Sequence, residues 1–269
     1  MTDFLPAYKR VKYVWLLAQS LKRWETLASR QHGLVSRQQA RETGLSRTQI
    51  GWLLGRGSWI RVFPSVYRAV AAPETWRQPL MAASLWAEGK AVISVRAAAA
   101  VWEFENYWRT RVELSGLSNL SPPSGVIYHH VRRLAPADVT VRHGIRVTSV
   151  ARTILDLAAL VSPRTLERTL DEALRKEIVT LKALRYCIER NGRRGREGVA
   201  HLESLMAERY QQHAPDSPLE TDVAALLRES GLPTAITRHM VVEGDQVLAE
   251  VDLAWPKQKI GRASCRERV

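Results

Sequence analysis

Arg47, Thr48, Gln49, Trp52 and Arg56 fall on one side of a short predicted helix, and Ile50, Leu53 and Leu54 fall on the other. Guanidinium and amide side chains at that spacing suit base-edge reading, because arginine pairs with guanine and glutamine with adenine in the major groove. Arg61 and Arg68 follow on a β-prone stretch, where they suit contact with phosphates. A second set of residues is acidic. Glu250 and Asp252 alternate with Val251 and Leu253, so they share one face of a predicted strand. Glu220 lies three residues after Ser217 at a predicted helix start. Taken alone, Glu220 completes a capping box and the strand pair faces water.

The elements that must position the first set begin with a helix over 14–31, in which Leu17, Leu21, Trp24 and Ala28 recur at helical spacing and Gly33 supplies the C-terminal cap. Ser36 and Gln39, then Ser46 and Gln49, have the capping-box spacing, and Gly44 separates the two short helices they start. Two short helices joined by a glycine-containing turn are a helix-turn-helix, whose second helix enters the major groove. In 58–70 two β-prone runs flank Pro64-Ser65 and predict a hairpin. With the preceding helices it makes a winged helix-turn-helix.

Charge follows the same division. Of the formal net charge of +13 over 269 residues, residues 1–70 carry 12 basic and 3 acidic side chains, a net of +9. Such a segment is the footprint of a polyanion binder. An anionic membrane surface also fits the charge, but the motif favours a nucleic acid, DNA or RNA, and a helix that enters the major groove favours double-stranded DNA. Residues 217–259 carry 4 basic and 7 acidic side chains, so charge does not hold them to DNA. Nothing approaches the roughly 20 apolar residues of a membrane span. The run 14–18 is too short for a secretory segment and no cleavage site follows it. Two cysteines, Cys187 and Cys265, exclude a disulfide framework and fit a reducing cytoplasm.

The run His32-Gly-Leu-Val-Ser-Arg-Gln-Gln-Ala-Arg-Glu-Thr-Gly-Leu-Ser, continued by Gly57-Ser-Trp-Ile-Arg-Val-Phe-Pro-Ser-Val-Tyr-Arg, resembles the N-terminal winged helix of AbiEi-type antitoxins. The resemblance implies a transcriptional repressor that binds promoter DNA of its own toxin-antitoxin operon, beside a nucleotidyltransferase-like toxin.

The middle of the chain reads as scaffold. Two helices are expected over 79–104, the second capped by Ser94, then strands over 110–115 and 126–132 and a hairpin around His143-Gly144. Three helices follow: one from Ser149, one capped by Ser162 with Pro163 in its first position, and one after Thr180. Another, from Glu197, follows the basic loop 192–196. His129 and His130 are adjacent on a strand and point to opposite faces, so with His143 they read as surface or packing residues rather than metal ligands. Cys187 reads as a small buried hydrophobe. No nucleophilic triad spacing and no glycine-rich phosphate loop occurs.

Ser217-Pro-Leu-Glu220 on a helix, followed by a hairpin ending Glu250-Val-Asp252-Leu-Ala-Trp-Pro256, resembles the PD-(D/E)XK nucleases similar to very-short-patch-repair endonucleases. That resemblance implies that Glu220 and Asp252 are catalytic residues and ligands of Mg²⁺, which activates water and stabilises the phosphorane. The third element, an apolar strand ending in Glu-x-Asp or Glu-x-Lys, has no counterpart in Ile260-Gly-Arg-Ala-Ser-Cys-Arg-Glu-Arg-Val269. The codons ATC GGA AGA GCG TCG TGT AGG GAA AGA GTG of a common short-read sequencing adapter would encode that tail, so 260–269 reads as adapter read-through, the alternative being a natural basic tail. Without the third strand, the hairpin's edge is expected to stay uncovered.

The expected fold class is α+β. It comprises a winged helix-turn-helix DNA-binding domain (1–72), a mixed α/β middle domain (73–212) and a truncated restriction-endonuclease-like C-terminal core (213–259). Two functions follow: a DNA-binding protein whose nuclease-like domain is inactive for want of its catalytic strand, or an antitoxin repressor without nuclease activity.

Overall fold

A computed structural model of the chain describes residues 7–108, 111–191, 197–211, 218–233, 236–243, 246–255, 258 and 260–262. The fold is α+β and divides into two compact units, Met1–Trp102 with Arg109–Thr148, and Glu103–Trp108 with Ser149–Val269.

The first unit opens with α1 (Ala7–Ser29). It is followed by β1 (Leu34–Ser36), α2 (Arg37–Glu42), α3 (Arg47–Gly55), β2 (Trp59–Phe63) and β3 (Val66–Ala69). The periodic set of α1 packs as its spacing requires: Trp24 and Ala28 are buried, with Leu17 and Leu21 against them. Gly33 closes the helix at φ 82°, and a Cβ there would stand 2.5 Å from that of Ala72, so glycine is needed on both counts. Strand β3 lies between β1 and β2, antiparallel to both.

Alternation along these strands splits their side chains between two cores. Val35 and Tyr67 join Trp24, Ile50, Leu53 and Trp59 inside the winged helix. Leu34 and Val66, each 0% exposed, join the core of the sheet that follows. The boundary expected at 72/73 therefore runs through a shared core.

That sheet adds α4 (Gln78–Trp86), β4 (Ala91–Ile93), α5 (Val95–Val101), β5 (Val112–Gly116), β6 (Val126–His130), β7 (Val139–Arg142) and β8 (Ile145–Thr148), with strand order β6-β5-β4-β8-β7. Its apolar face packs on Met81, Ala97, Ala98 and Val101 from α4 and α5. Ser94 does not cap α5 through its side chain; its hydroxyl accepts from Ser115 at 2.8 Å, both residues being buried. His129 and His130 are held singly, His129 by the Glu113 carboxylate at 2.8 Å and His130 by the Leu117 carbonyl at 3.0 Å.

The second unit is helical at its centre, with α6 (Val150–Leu157), α7 (Pro163–Arg175), α8 (Leu181–Asn191), α9 (Val199–Gln211) and α10 (Pro218–Glu229). Ser162 caps α7 as expected, accepting from the Thr165 amide, and Ser149 caps α6 in the same way, accepting from the Arg152 amide. Cys187 is buried in α8.

Buried charges here are held in partnership, as desolvation requires. Arg152 donates to Asp156 at 2.9 and 3.1 Å and to Asn191 Oδ1 at 3.1 Å. Arg209 of α9 donates to Asp171 at 2.9 Å through both Nε and Nη2, and to Glu167 at 2.7 Å. Arg228 of α10 reaches the same Glu167 at 2.8 Å. Burial pushes the Arg209 pKa down, but hydrogen bonds and charge from Asp171 and Glu167 outweigh it and leave the pKa raised.

The chain continues with β9 (Ile236–Glu243), β10 (Gln246–Trp255) and β11 (Ile260–Arg262), in the order β11-β10-β9. The uncovered edge expected for this hairpin is partly covered, since Ile260–Arg262 pairs antiparallel with Leu253–Trp255. Ladder hydrogen bonds are made by the main chain, so a short stretch needs no apolar alternation to pair. The basic loop 192–196, Ser217 and the tail 263–269 lie outside the described residues, as do the side chains of Glu220, Glu250 and Asp252.

Candidate nucleic-acid interface

Both predicted capping boxes form. Ser36 Oγ accepts the Gln39 amide at 3.2 Å while Gln39 Oε1 accepts the Ser36 amide at 3.0 Å. Ser46 and Gln49 repeat the arrangement at 3.2 and 2.8 Å. These local bonds fix where α2 and α3 begin, and burial of Ile50 and Leu53 fixes which face of α3 turns inward. Arg47, Thr48, Trp52 and Arg56 are consequently exposed. Trp52 is 52% exposed, an unusual place for its large apolar ring, and the Arg56 guanidinium lies 4.5 Å from the ring centroid. Gln49 is half-buried and its side-chain oxygen is engaged in the cap, which gives it a structural role at the helix start.

The wing separates its two arginines. Arg61 pairs across the ladder with Tyr67, whereas Arg68 pairs with Ile60, so the arginines lie on opposite faces. Arg61 is exposed on the side of α3. Arg68 turns the other way, its side chain 12% exposed, and donates to Glu74 at 3.1 Å, to Gln78 Oε1 at 3.5 Å and to the Ala72 carbonyl at 3.3 Å. Of the residues read from sequence, the structure thus brings together Arg47, Thr48, Trp52, Arg56 and Arg61, and it sets Arg68 apart.

Sequence reasoning missed Arg37 and Arg41 on α2. Both line, with Arg47, Arg61, Ile50, Gly51, Leu54 and Tyr67, a concavity of about 320 Å³ between α2, α3 and the wing. The signal was present, since residues four apart share a helix face. Tyr67 is 1% exposed, and its hydroxyl accepts from Arg37 Nε at 2.9 Å. Its ring continues an aromatic stack in the core, with Trp24 and Trp59 centroids 4.4 Å apart and Trp59 and Tyr67 6.0 Å apart. Such contacts are worth about 0.5–1.5 kcal/mol each beyond the area they bury, and this stack fixes the hydroxyl that orients Arg37.

Among the described residues no group of three or more His, Cys, Asp and Glu side chains could hold a metal ion. Glu220 lies in the first turn of α10 and Asp252 on β10. No described helix is long and apolar enough to cross a membrane.

No curated protein matches the chain. Among solved structures, the Rv2827c protein from Mycobacterium tuberculosis aligns at 15% sequence identity and a TM-score of 0.43, over 70% of this chain and 81% of that one. A family model described as "Transcriptional regulator, AbiEi antitoxin" matches residues 23–70. That span runs from α1 through the wing and contains every residue of the arginine-lined concavity. The winged-helix segment of this chain, residues 23–70, is therefore similar to the AbiEi antitoxin family of transcriptional regulators.

Proposed function

We propose that the chain is a DNA-binding transcriptional regulator that inserts α3 into the major groove and lays the wing along the backbone. The observation that carries this reading is the face formed by Arg47, Thr48, Trp52 and Arg56 beside Arg61, within the segment similar to a regulator family. Arg47 and Arg56 would read base edges, Trp52 would supply apolar contact to thymine methyls, and Arg61 would neutralise phosphate. The test is a mobility-shift titration of the 269-residue protein on the duplex upstream of its own gene. Binding that weakens steeply with salt supports the reading, and no shift at ~50 mM salt rejects it.

The finer role is that of an antitoxin acting as repressor of a toxin-antitoxin operon, with a nucleotidyltransferase-like toxin as partner. It rests on the similarity of residues 23–70. Co-expression with the product of the neighbouring gene should relieve that product's toxicity, and an unchanged growth arrest would count against the role while leaving DNA binding untouched.

A second reading, an endonuclease-like C-terminal core, is favoured by one placement: Glu220 begins α10 and Asp252 lies on β10, the central strand of the sheet that follows. The described strand on that edge, Ile260–Arg262, pairs with Leu253–Trp255 and offers neither a carboxylate nor a lysine for a Mg²⁺ site. We therefore derive no hydrolytic step and expect no Mg²⁺-dependent nicking of plasmid. Nicking that disappears in Asp252→Ala would overturn that expectation.

A further inference from the structure

Arg37 and Arg41 from α2, Arg47 from α3 and Arg61 from β2 line one concavity. Among the described residues no carboxylate pairs with any of the four. A low-dielectric wall of Ile50, Leu54 and Tyr67 backs them, and a concave surface lined by one sign of charge concentrates the potential of that charge. All four are exposed to solvent in the groove, where an anionic ligand can reach them.

Arg37 is also held in a particular orientation. Its Nε donates to the buried Tyr67 hydroxyl, and its main-chain amide donates to the Ser65 carbonyl at 2.6 Å in the turn of the wing. A guanidinium fixed through Nε has a set plane and keeps its two terminal nitrogens for a bidentate acceptor, the geometry that suits phosphate oxygens.

The geometry points to this concavity as a phosphate-binding site, with Arg37, Arg41 and Arg61 as its cations, Arg47 at its rim on the base-reading helix, and Tyr67 as the positioning residue for Arg37. The phosphate comes either from a DNA strand passing the wing or from a free polyphosphate, and the first source rests on the regulator reading above. Arg37 and Arg41 then act separately from base reading, which belongs to the exposed face of α3.

The experiment uses the full chain and two probes: a fluorescent duplex from upstream of the gene, titrated across a salt series, and sodium tripolyphosphate, titrated calorimetrically at low salt. Each lost phosphate contact lowers the slope of log affinity against log salt by about 0.9. Arg37→Ala and Arg41→Ala should each show that loss, with about tenfold weaker binding to specific and scrambled duplexes alike. Tyr67→Phe should reproduce part of the Arg37→Ala effect. Arg37→Lys should recover the slope but not the full affinity, since it keeps the charge and loses the fixed fork.

If the wild type binds DNA and Arg37→Ala, Arg41→Ala and Tyr67→Phe all keep its slope and affinity, the phosphate site is refuted and the regulator reading stands. If the wild type ignores DNA yet binds tripolyphosphate in a way that Arg37→Ala and Arg41→Ala abolish, the site is supported, its ligand is free polyphosphate, and the regulator reading fails. Binding of neither probe refutes both.

Discussion

Ser46 and Gln49 cap one another, Ser46 Oγ accepting the Gln49 amide at 3.2 Å and Gln49 Oε1 accepting the Ser46 amide at 2.8 Å. This reciprocal pair starts α3, and Arg47 is the next residue after Ser46. Removing the hydroxyl frees an amide that only water can then satisfy. Ser46→Ala should cost about 1 kcal/mol of stability in a urea melt. It should weaken DNA binding on every sequence by a similar factor, because it loosens the helix without changing its face. A change of sequence preference in Ser46→Ala would mean that Ser46 itself touches bases.

The exposed stack of Arg56 on Trp52, at 4.5 Å, leads to a different outcome. Trp52→Ala removes both an apolar contact and the surface that orients Arg56. Arg47→Ala and Trp52→Ala should each cost about 1–3 kcal/mol on the preferred duplex and much less on a scrambled one, narrowing the gap between them. Their thermal stability should stay near that of the wild type, since both side chains are exposed. Competition binding with the two duplexes measures this directly.

Opposite faces of the wing give opposite phenotypes. Arg61→Ala should flatten the salt slope by about 0.9 without loss of stability. Arg68→Ala should leave the slope unchanged and cost about 1 kcal/mol, through the lost hydrogen bonds to Gln78, Glu74 and the Ala72 carbonyl. A salt series on the two variants distinguishes them, and equal slopes would contradict the assigned faces.

Glu167 links the second unit to pH. Burial pushes its pKa up, but hydrogen bonds from Arg228 and Arg209, with their charge, outweigh that and hold it below the ordinary 4.5. A carboxylate with a depressed folded-state pKa contributes stability that is complete above the ordinary value and is lost as pH falls through the folded one. Glu167→Gln should therefore cost about 2 kcal/mol at pH 7, and the gap from the wild type should close as the pH falls below about 4.5. Melting temperatures of both proteins from pH 7 to pH 3 give the comparison. A gap that stays constant would show that the pair carries no proton linkage.

What could be read from sequence was local. The capping boxes at Ser36 and Ser46 and the cap at Ser162 depend on residues three apart, and all three form. The turn at Pro64-Ser65 likewise needed only its neighbours. Strands β1 and β4 were not legible, since three residues carry no periodicity and their partners are distant, Leu34 opposite Arg68 and Ile93 beside Leu114 and Val147. The same limit hid the inward turn of Arg68, which depends on ladder register and on Gln78 of α4. It also hid the groove. Arg37 and Arg41 share a helix face in the sequence, but their meeting with Arg61 and Tyr67 needed the wing folded back on α2. The hydroxyl of Ser94 was assigned to a cap because that choice is local, and the fold gives it to Ser115 on a neighbouring strand.

If α3 and the wing read DNA, the chain must prefer one duplex over another of the same length and charge. Fluorescence anisotropy of the full chain against the duplex upstream of its gene and a scrambled duplex, at ~150 mM salt, tests it most directly. Binding to the upstream duplex should be at least about tenfold tighter, equivalent to about 1.4 kcal/mol, and Arg47→Ala should abolish most of that preference. Equal affinity for the two duplexes, or a preference that Arg47→Ala leaves intact, would contradict it.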